Sequence, residues 1–175
     1  DRALDVTEMA FNIKANVVIQ NLRITNFTQA VVIANAQTNR IVTLSGVQID
    51  NCGNVDPAMG PAITNASTTS TVTISNSTIT DNFSDACGAI TNYGSMIILN
   101  SSITANEAST SYGGAICSSG PDGTLGITGS WINNNSTENA DNGLGGALFL
   151  SEGSTSIEGS EIKGNTAARY GGGIY

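Results

Sequence analysis

Met96-Ile97-Ile98-Leu99-Asn100-Ser101-Ser102-Ile103-Thr104-Ala105-Asn106 is the stretch whose pattern decides the fold. Met96 and Ile98 stand two residues apart, so in an extended chain both side chains leave the backbone on the same side. Asn100 then interrupts the strand. Asn and Gly enter the left-handed region of backbone space at the lowest cost, so position 100 reads as a sharp corner. Ile103, three residues further on, starts a second short strand facing the same interior. The register is apolar, any, Ile or Leu, any, Asn or Gly, two residues, Ile, and it recurs six times. The other copies are Val17, Ile19, Asn21, Ile24; Val42, Leu44, Gly46, Ile49; Val72, Ile74, Asn76, Ile79; Leu125, Ile127, Gly129, Ile132; and Thr155, Ile157, Gly159, Ile162, with only Thr155 breaking the apolar rule. The final Ile advances by 25, 30, 24, 29 and 30 residues, so the core spacing is constant while the connections vary, as surface turns do.

A third block precedes the register within a coil and is seen in Gly60-Pro61-Ala62-Ile63, Cys87-Gly88-Ala89-Ile90, Gly113-Gly114-Ala115-Ile116, Gly145-Gly146-Ala147-Leu148 and, after the last register, Gly171-Gly172-Gly173-Ile174. Its small residues let the backbone bend and approach a neighbouring chain closely. One coil cannot hide its own few inward side chains, but stacked coils place Ile on Ile at about 4.8 Å. The predicted fold is all-β: a right-handed parallel β-helix, a solenoid of about six coils of 24–30 residues with three short strands in each. Residues 1–175 read as one β-helix segment of a longer solenoid, with divergent coils over 1–59 and regular coils over 60–175. In the last four coils an Asn follows the register Ile by three residues, at 82, 106, 135 and 165. Asn82 and Asn106 suit an interior ladder in which each buried amide bonds to the next coil.

Composition narrows the function classes. Aromatics are 5% of the chain, so the core must be aliphatic and thin. Charged residues are 11%, which leaves a neutral polar exterior. The net charge is −8 and the six basic residues are scattered, so no patch matches a row of phosphates and nucleic acid is not an expected partner. No apolar run reaches membrane-spanning length, and any membrane attachment is expected from regions outside this chain.

The Gly113 to Ile116 block, its variant at 145–148, and the Ile-x-x-Asn blocks that follow resemble the repeats of chlamydial polymorphic outer membrane proteins, which combine GGAI-like and FxxN motifs. Ile stands in place of the family's Phe at 79, 103, 132 and 162, and Phe27 and Cys52 occupy the Asn position in the first two copies. The likeness covers residues 60–175 well. It implies an extracellular β-helix of the kind used in adhesins, passenger domains and surface stalks, and it brings no catalytic residues with it.

Enzymes that degrade polysaccharides, of the pectin lyase-like class, are the alternative, and they need paired carboxylates or a basic proton acceptor. The best acidic grouping is Asp81 and Asp85 with Asp50 one coil below, where register puts Asp50 beside Thr80. The chain has no His, and no Lys or Arg lies between Arg40 and Lys163, so the expectation is a non-catalytic protein without a cofactor. Asn54-Val55-Asp56, Asp81 to Asp85, Asp122 and Asp141-Asn142-Gly143 lack a calcium-binding period and read as turn formers. The outward row Thr25, Asp50, Thr80, Thr104, Asn133, Lys163 is too broken for an ice-binding rank. Asn-x-Ser/Thr glycan acceptor triplets begin at Asn26, Asn65, Asn76, Asn82, Asn100, Asn134 and Asn135, with the more loop-like Asn65, Asn134 and Asn135 favoured. Cys52 and Cys87 fall in corresponding loops of neighbouring coils and are the candidate disulfide, with Cys117 packing as a small hydrophobe. Trp131 and the tyrosines look scattered, although Tyr112, Leu144 and Tyr170 share one register. The expected role is an extracellular or cell-surface stalk, passenger domain or filament subunit. Its expected contacts are end-to-end or lateral self-association, host or cell-surface ligands, and attached glycans.

Overall fold

The structure, a computed structural model, describes residues 9–35, 39–53, 60–110 and 112–175, and among these every regular element is a β-strand. Each coil visits the same sheets in the same order, so strands that are neighbours in space are one coil apart in sequence. The first sheet stacks Met9–Ile13, Gln29–Ile33, Ile63–Asn65, Ile90–Asn92, Ile116–Ser118 and Leu148–Leu150. The second stacks Val17–Gln20, Ile41–Ser45, Thr71–Ser75, Ser95–Leu99, Thr124–Thr128 and Ser154–Glu158. The third stacks Arg23–Thr25, Gln48–Asp50, Thr78–Thr80, Ser102–Thr104, Trp131–Asn133 and Glu161–Lys163. All pairings are parallel, and the chain is a parallel β-helix. No helix among the described residues is long and apolar enough to cross a membrane.

The repeated aliphatic positions meet as the register requires. Leu44, Ile74, Ile98 and Ile127 pair in sequence across the second sheet, and Ile24, Ile49, Ile79, Ile103, Ile132 and Ile162 across the third. From Ile24 to Ile132 this second column is at most 2% exposed. Each such side chain contributes about 1.5–3 kcal/mol on burial, and only stacking makes that burial complete. In the last coil Ile157 and Ile162 are half-buried.

The Asn or Gly corner is left-handed in all six copies, with φ between 46° and 61° at Asn21, Gly46, Asn76, Asn100, Gly129 and Gly159. A second left-handed corner, which the residue types do not announce, lies two residues after each register Ile, at Asn26, Asn51, Asp81, Ala105, Asn134 and Gly164. Ala105, at φ 53°, is the one residue in this column whose side chain neither tolerates nor compensates that conformation. Ala105→Gly is therefore expected to raise stability by about 1 kcal/mol, read as an upward shift of the urea unfolding midpoint.

Beyond that second corner the later coils gain a short fourth strand. Phe83–Ser84, Glu107–Ala108, Ser136–Thr137 and Thr166–Ala167 form a four-stranded parallel sheet, so four coils carry four strands where the sequence pattern predicts three. Two-residue strands are too short to show alternation, which is why periodicity misses them.

Two interior ladders tie the coils together. In the first, the amide Nδ2 of Asn82 donates to Asn106 Oδ1 (3.0 Å), Asn106 to Asn135 (2.9 Å) and Asn135 to Asn165 (2.9 Å). The same oxygens accept the backbone N–H of the residue one coil below: Cys52 onto Asn82, Asn82 onto Asn106, Asn106 onto Asn135 and Asn135 onto Asn165. The expected Asn82 and Asn106 ladder is present and runs through four coils. In the second ladder, the residue after the first corner supplies a hydroxyl. Val47, Ser77, Ser101 and Ser130 donate their N–H groups to the hydroxyls of Ser77, Ser101, Ser130 and Ser160, at 3.1–3.2 Å. The corner residues themselves still donate to backbone carbonyls of the next coil, as Asn76 does to Leu99 O and Asn100 to Thr128 O, whereas the residue after each corner turns out of that pairing and these side-chain oxygens accept its N–H.

Candidate functional site

The three carboxylates singled out by sequence occupy different features of the coil. Asp50 lies on the outer side of the third sheet, paired with Thr25 and Thr80, and is 2% exposed. Arg23 Nε and Nη2 donate to its two oxygens at 2.9 and 3.1 Å, and Asn51 Nδ2 adds a third bond at 3.1 Å. The Arg23 guanidinium holds the Asp50 carboxyl down at about 2, against the opposing effect of burial. A group held ionised in this way suits an ion pair and not a proton donor. Asp81 sits exposed in a left-handed corner with the Thr80 hydroxyl on its carboxylate, and Asp85 follows the fourth-sheet strand, where it accepts from Ser109 Oγ at 3.1 Å.

The depressed Asp50 carboxyl sets a pH dependence. Its stabilising contribution is fully present above the ordinary carboxylate range near pH 4 and is lost as pH falls toward about 2. The gap in unfolding midpoint between wild type and Asp50→Asn is expected to close over that interval. Since the Arg23 side chain is largely exposed, the gap itself is expected to be small.

The carboxyl pair that folding does assemble is one that sequence reading passed over. Glu107 lies in the fourth sheet beside Ser136, and Glu138 follows two residues later. Burial raises the Glu107 carboxyl above its usual range, and the hydrogen-bonded, like-charged Glu138 raises it further. No motif marks the two residues, since only the register of a two-residue strand aligns them. No cluster of three His, Cys, Asp or Glu side chains fit to hold a metal occurs among the described residues. Asn54-Val55-Asp56 lies outside them.

The acceptor triplets divide by burial. Asn26, Asn76, Asn100 and Asn134 are exposed corner residues. Asn65, Asn82 and Asn135 are at most 1% exposed. Two of the three favoured acceptors are thus interior residues, which corrects their reading as loop positions. Asn135 belongs to the long amide ladder, and Asn65 starts a shorter one in the first sheet, donating to Asn92 Oδ1 at 2.9 Å, while Asn92 donates to Ser118 Oγ at 3.2 Å.

The disulfide also differs from expectation. Cys87 pairs with Cys117 across neighbouring coils, with α-carbons 5.8 Å apart, and Cys52 is the free cysteine. The Cys52–Cys87 pairing fails because Cys52 lies in the interior amide register, its N–H on Asn82 Oδ1 and its sulfur 3.5 Å from the Asp50 carbonyl oxygen. Cys87 takes the register of Gly113, outside the core. A Cβ at Gly113 would fall 2.9 Å from the Cys117 sulfur, so the glycine leaves the space the bridge fills.

The aromatic rings are less scattered than their positions suggest. Phe149 faces out from the first sheet beside Cys117 and stacks on Tyr112 (4.3 Å between centroids) and Tyr175 (5.8 Å). Tyr112, Leu144 and Tyr170 bridge in parallel along one flank, as their shared register predicts. The second sheet presents a different surface. Its central outward column is Val18, Thr43, Thr73, Ile97, Gly126 and Ser156, uncharged through every coil, with Val18 60% and Ile97 40% exposed. No protein-family model matches the chain, and no curated protein or solved structure matches it either.

Proposed function

We propose that the chain is a non-catalytic structural or adhesive β-helix segment of a cell exterior, serving as a surface stalk, passenger domain or filament subunit. The observation that carries this reading is the closed Cys87–Cys117 bridge between two coils, because such a bond persists in oxidising surroundings and is rare in a reducing cytosol. Three features agree with it. The ladders and parallel sheets form one continuous hydrogen-bonded column, suited to stiffness. The uncharged central column of the second-sheet face, with Val18 and Ile97 exposed, suits lateral contact with a like surface or a ligand. The GGAI-type blocks resemble polymorphic outer membrane protein repeats, in which such columns are displayed outside the cell.

The acidic residues offered for polysaccharide cleavage lend the enzyme reading little, since Asp50 is engaged by Arg23 and Asp81 and Asp85 sit in a corner and a turn. Purified protein assayed on pectins and other acidic glycans is expected to release no new chain ends. Robust cleavage that Asp50→Asn or Asp81→Asn abolishes would overturn the proposal.

A further inference from the structure

Three of the seven Asn-x-Ser/Thr triplets have their acceptor amide inside the column, and the group a glycan would take is the one the fold uses. Asn135 Nδ2 donates to Asn165 Oδ1 (2.9 Å), Ile103 O (3.0 Å) and Asn133 O (3.2 Å). Asn82 Nδ2 donates to Asn106 Oδ1 (3.0 Å), Ile49 O (3.1 Å) and Thr80 O (3.0 Å). Asn65 Nδ2 donates to Asn92 Oδ1 at 2.9 Å. N-glycosylation forms a bond from the sugar C1 to Nδ2, expels one Nδ2 proton and releases the diphosphate-linked lipid carrier of the donor. A sugar at a fully buried nitrogen has no space, and the lost proton removes a ladder bond.

Folding comes too late to shield these amides during synthesis. The ladder partner of Asn65, Asn82 and Asn135 lies 27, 24 and 30 residues further along the chain, in the coil not yet made. At about 5–20 residues per second, each triplet stays extended and open for roughly 1–6 s before its cover exists. The bridge from Cys87 also waits for the next coil, 30 residues on.

We infer that this chain matures by a route that is oxidising and yet transfers no glycan to Asn-x-Ser/Thr triplets on the emerging polypeptide, with Asn65, Asn82 and Asn135 reserved as ladder amides. The oxidising half rests on the extracellular reading above; the glycan half rests on burial alone.

The test compares two export routes for the same chain. Exported to a bacterial periplasm, it is expected to be protease-resistant with the Cys87–Cys117 bond closed. Directed through a eukaryotic secretory pathway, it is expected to carry glycan on at least one of Asn65, Asn82 and Asn135 by peptide mapping and to lose protease resistance, which an inhibitor of lipid-linked glycan synthesis restores. Thr137→Val abolishes the Asn135 triplet while leaving its amide, and the Thr137 hydroxyl is buried with no hydrogen-bond partner among the described residues. That variant is expected to fold like wild type in the periplasm and to lack the Asn135 glycan in the eukaryotic host. A folded eukaryotic product overturns the inference, whether those three amides are bare or glycosylated, and so does a failure of the inhibitor to restore folding. Free Cys87 and Cys117 thiols in a folded periplasmic product would instead sink the extracellular reading, with the glycan result unchanged.

Discussion

Asn106→Ala is expected to destabilise the protein by about 4 kcal/mol, among the largest effects available to one polar side chain in this fold. Asn106 Oδ1 accepts both the backbone N–H and the Nδ2 of Asn82 at 3.0 Å, and its own Nδ2 serves Ile79 O at 3.1 Å and Asn135 Oδ1 at 2.9 Å. Truncation strands the Asn82 N–H in an interior that water does not reach, at about 1–3 kcal/mol, and also removes the amide bonds to Ile79 O and Asn135 Oδ1 and leaves a cavity where the amide stood. Asn106→Asp separates the acceptor from the donor role. An ionised carboxylate still receives Asn82, but it sets a second anionic oxygen against Ile79 O and Asn135 Oδ1. Its protonated form restores one donor. Burial among acceptors raises the folded-state carboxyl above its unfolded value near 3.9, so stability of this variant is present below about pH 4 and is lost as pH rises through the folded value. Urea unfolding at acid and neutral pH checks the sign. An Asn106→Ala midpoint within error of wild type would mean that the amides stack without holding the coils.

Legibility in the sequence followed how tightly each position restricts residue type. Ile74, Ile98 and Ile127 were readable because an inward strand position accepts little else, and Asn76, Asn100 and Gly129 because a left-handed corner accepts little else. The second corner was not, since Asp81 and Ala105 occupy it beside Asn and Gly and dilute the signal. Ser77, Ser101 and Ser130 were invisible as a ladder in a chain where serine is everywhere. Asn65 and Asn135 were misplaced for a related reason: an acceptor triplet describes three adjacent residues, whereas burial depends on a coil 27 or 30 residues away. The cysteines show the same limit. Cys52 and Cys87 look equivalent by loop, but one replaces a ladder Asn and the other a turn glycine, a distinction only the three-dimensional register makes. The Glu107 and Glu138 pair depends on the two-residue fourth strand, which has no periodicity of its own.

The glycines of the small-residue block supply the other large effect. A Cβ on Gly114 would lie 2.3 Å from Gly146 O in the next coil, and 2.5 Å from Ser136 O and 2.6 Å from Ser136 N at the end of its own coil, all of them backbone atoms. None of these can rotate aside as a side-chain end would. Relief requires lifting the whole coil, yet Ala115 and Ile116 donate to Ala147 O at 2.9 and 3.0 Å immediately beyond the contact, and the Asn135–Asn165 ladder bond pins the same two coils. Gly114→Ala is accordingly expected to cost about 3 kcal/mol or more, seen as a marked fall in thermal and urea midpoints. Gly126→Ala supplies the opposite sign in the same coil. Gly126 lies mid-strand on the second sheet, and a Cβ there meets nothing within 4 Å. Restricting the unfolded chain without any native clash is expected to stabilise by about 0.5–1 kcal/mol. If both substitutions shifted the midpoint alike, glycine at 114 would matter for chain flexibility alone, and the close backbone approach that lets one coil rest on the next would not be what the Gly-Gly-Ala-Ile block provides.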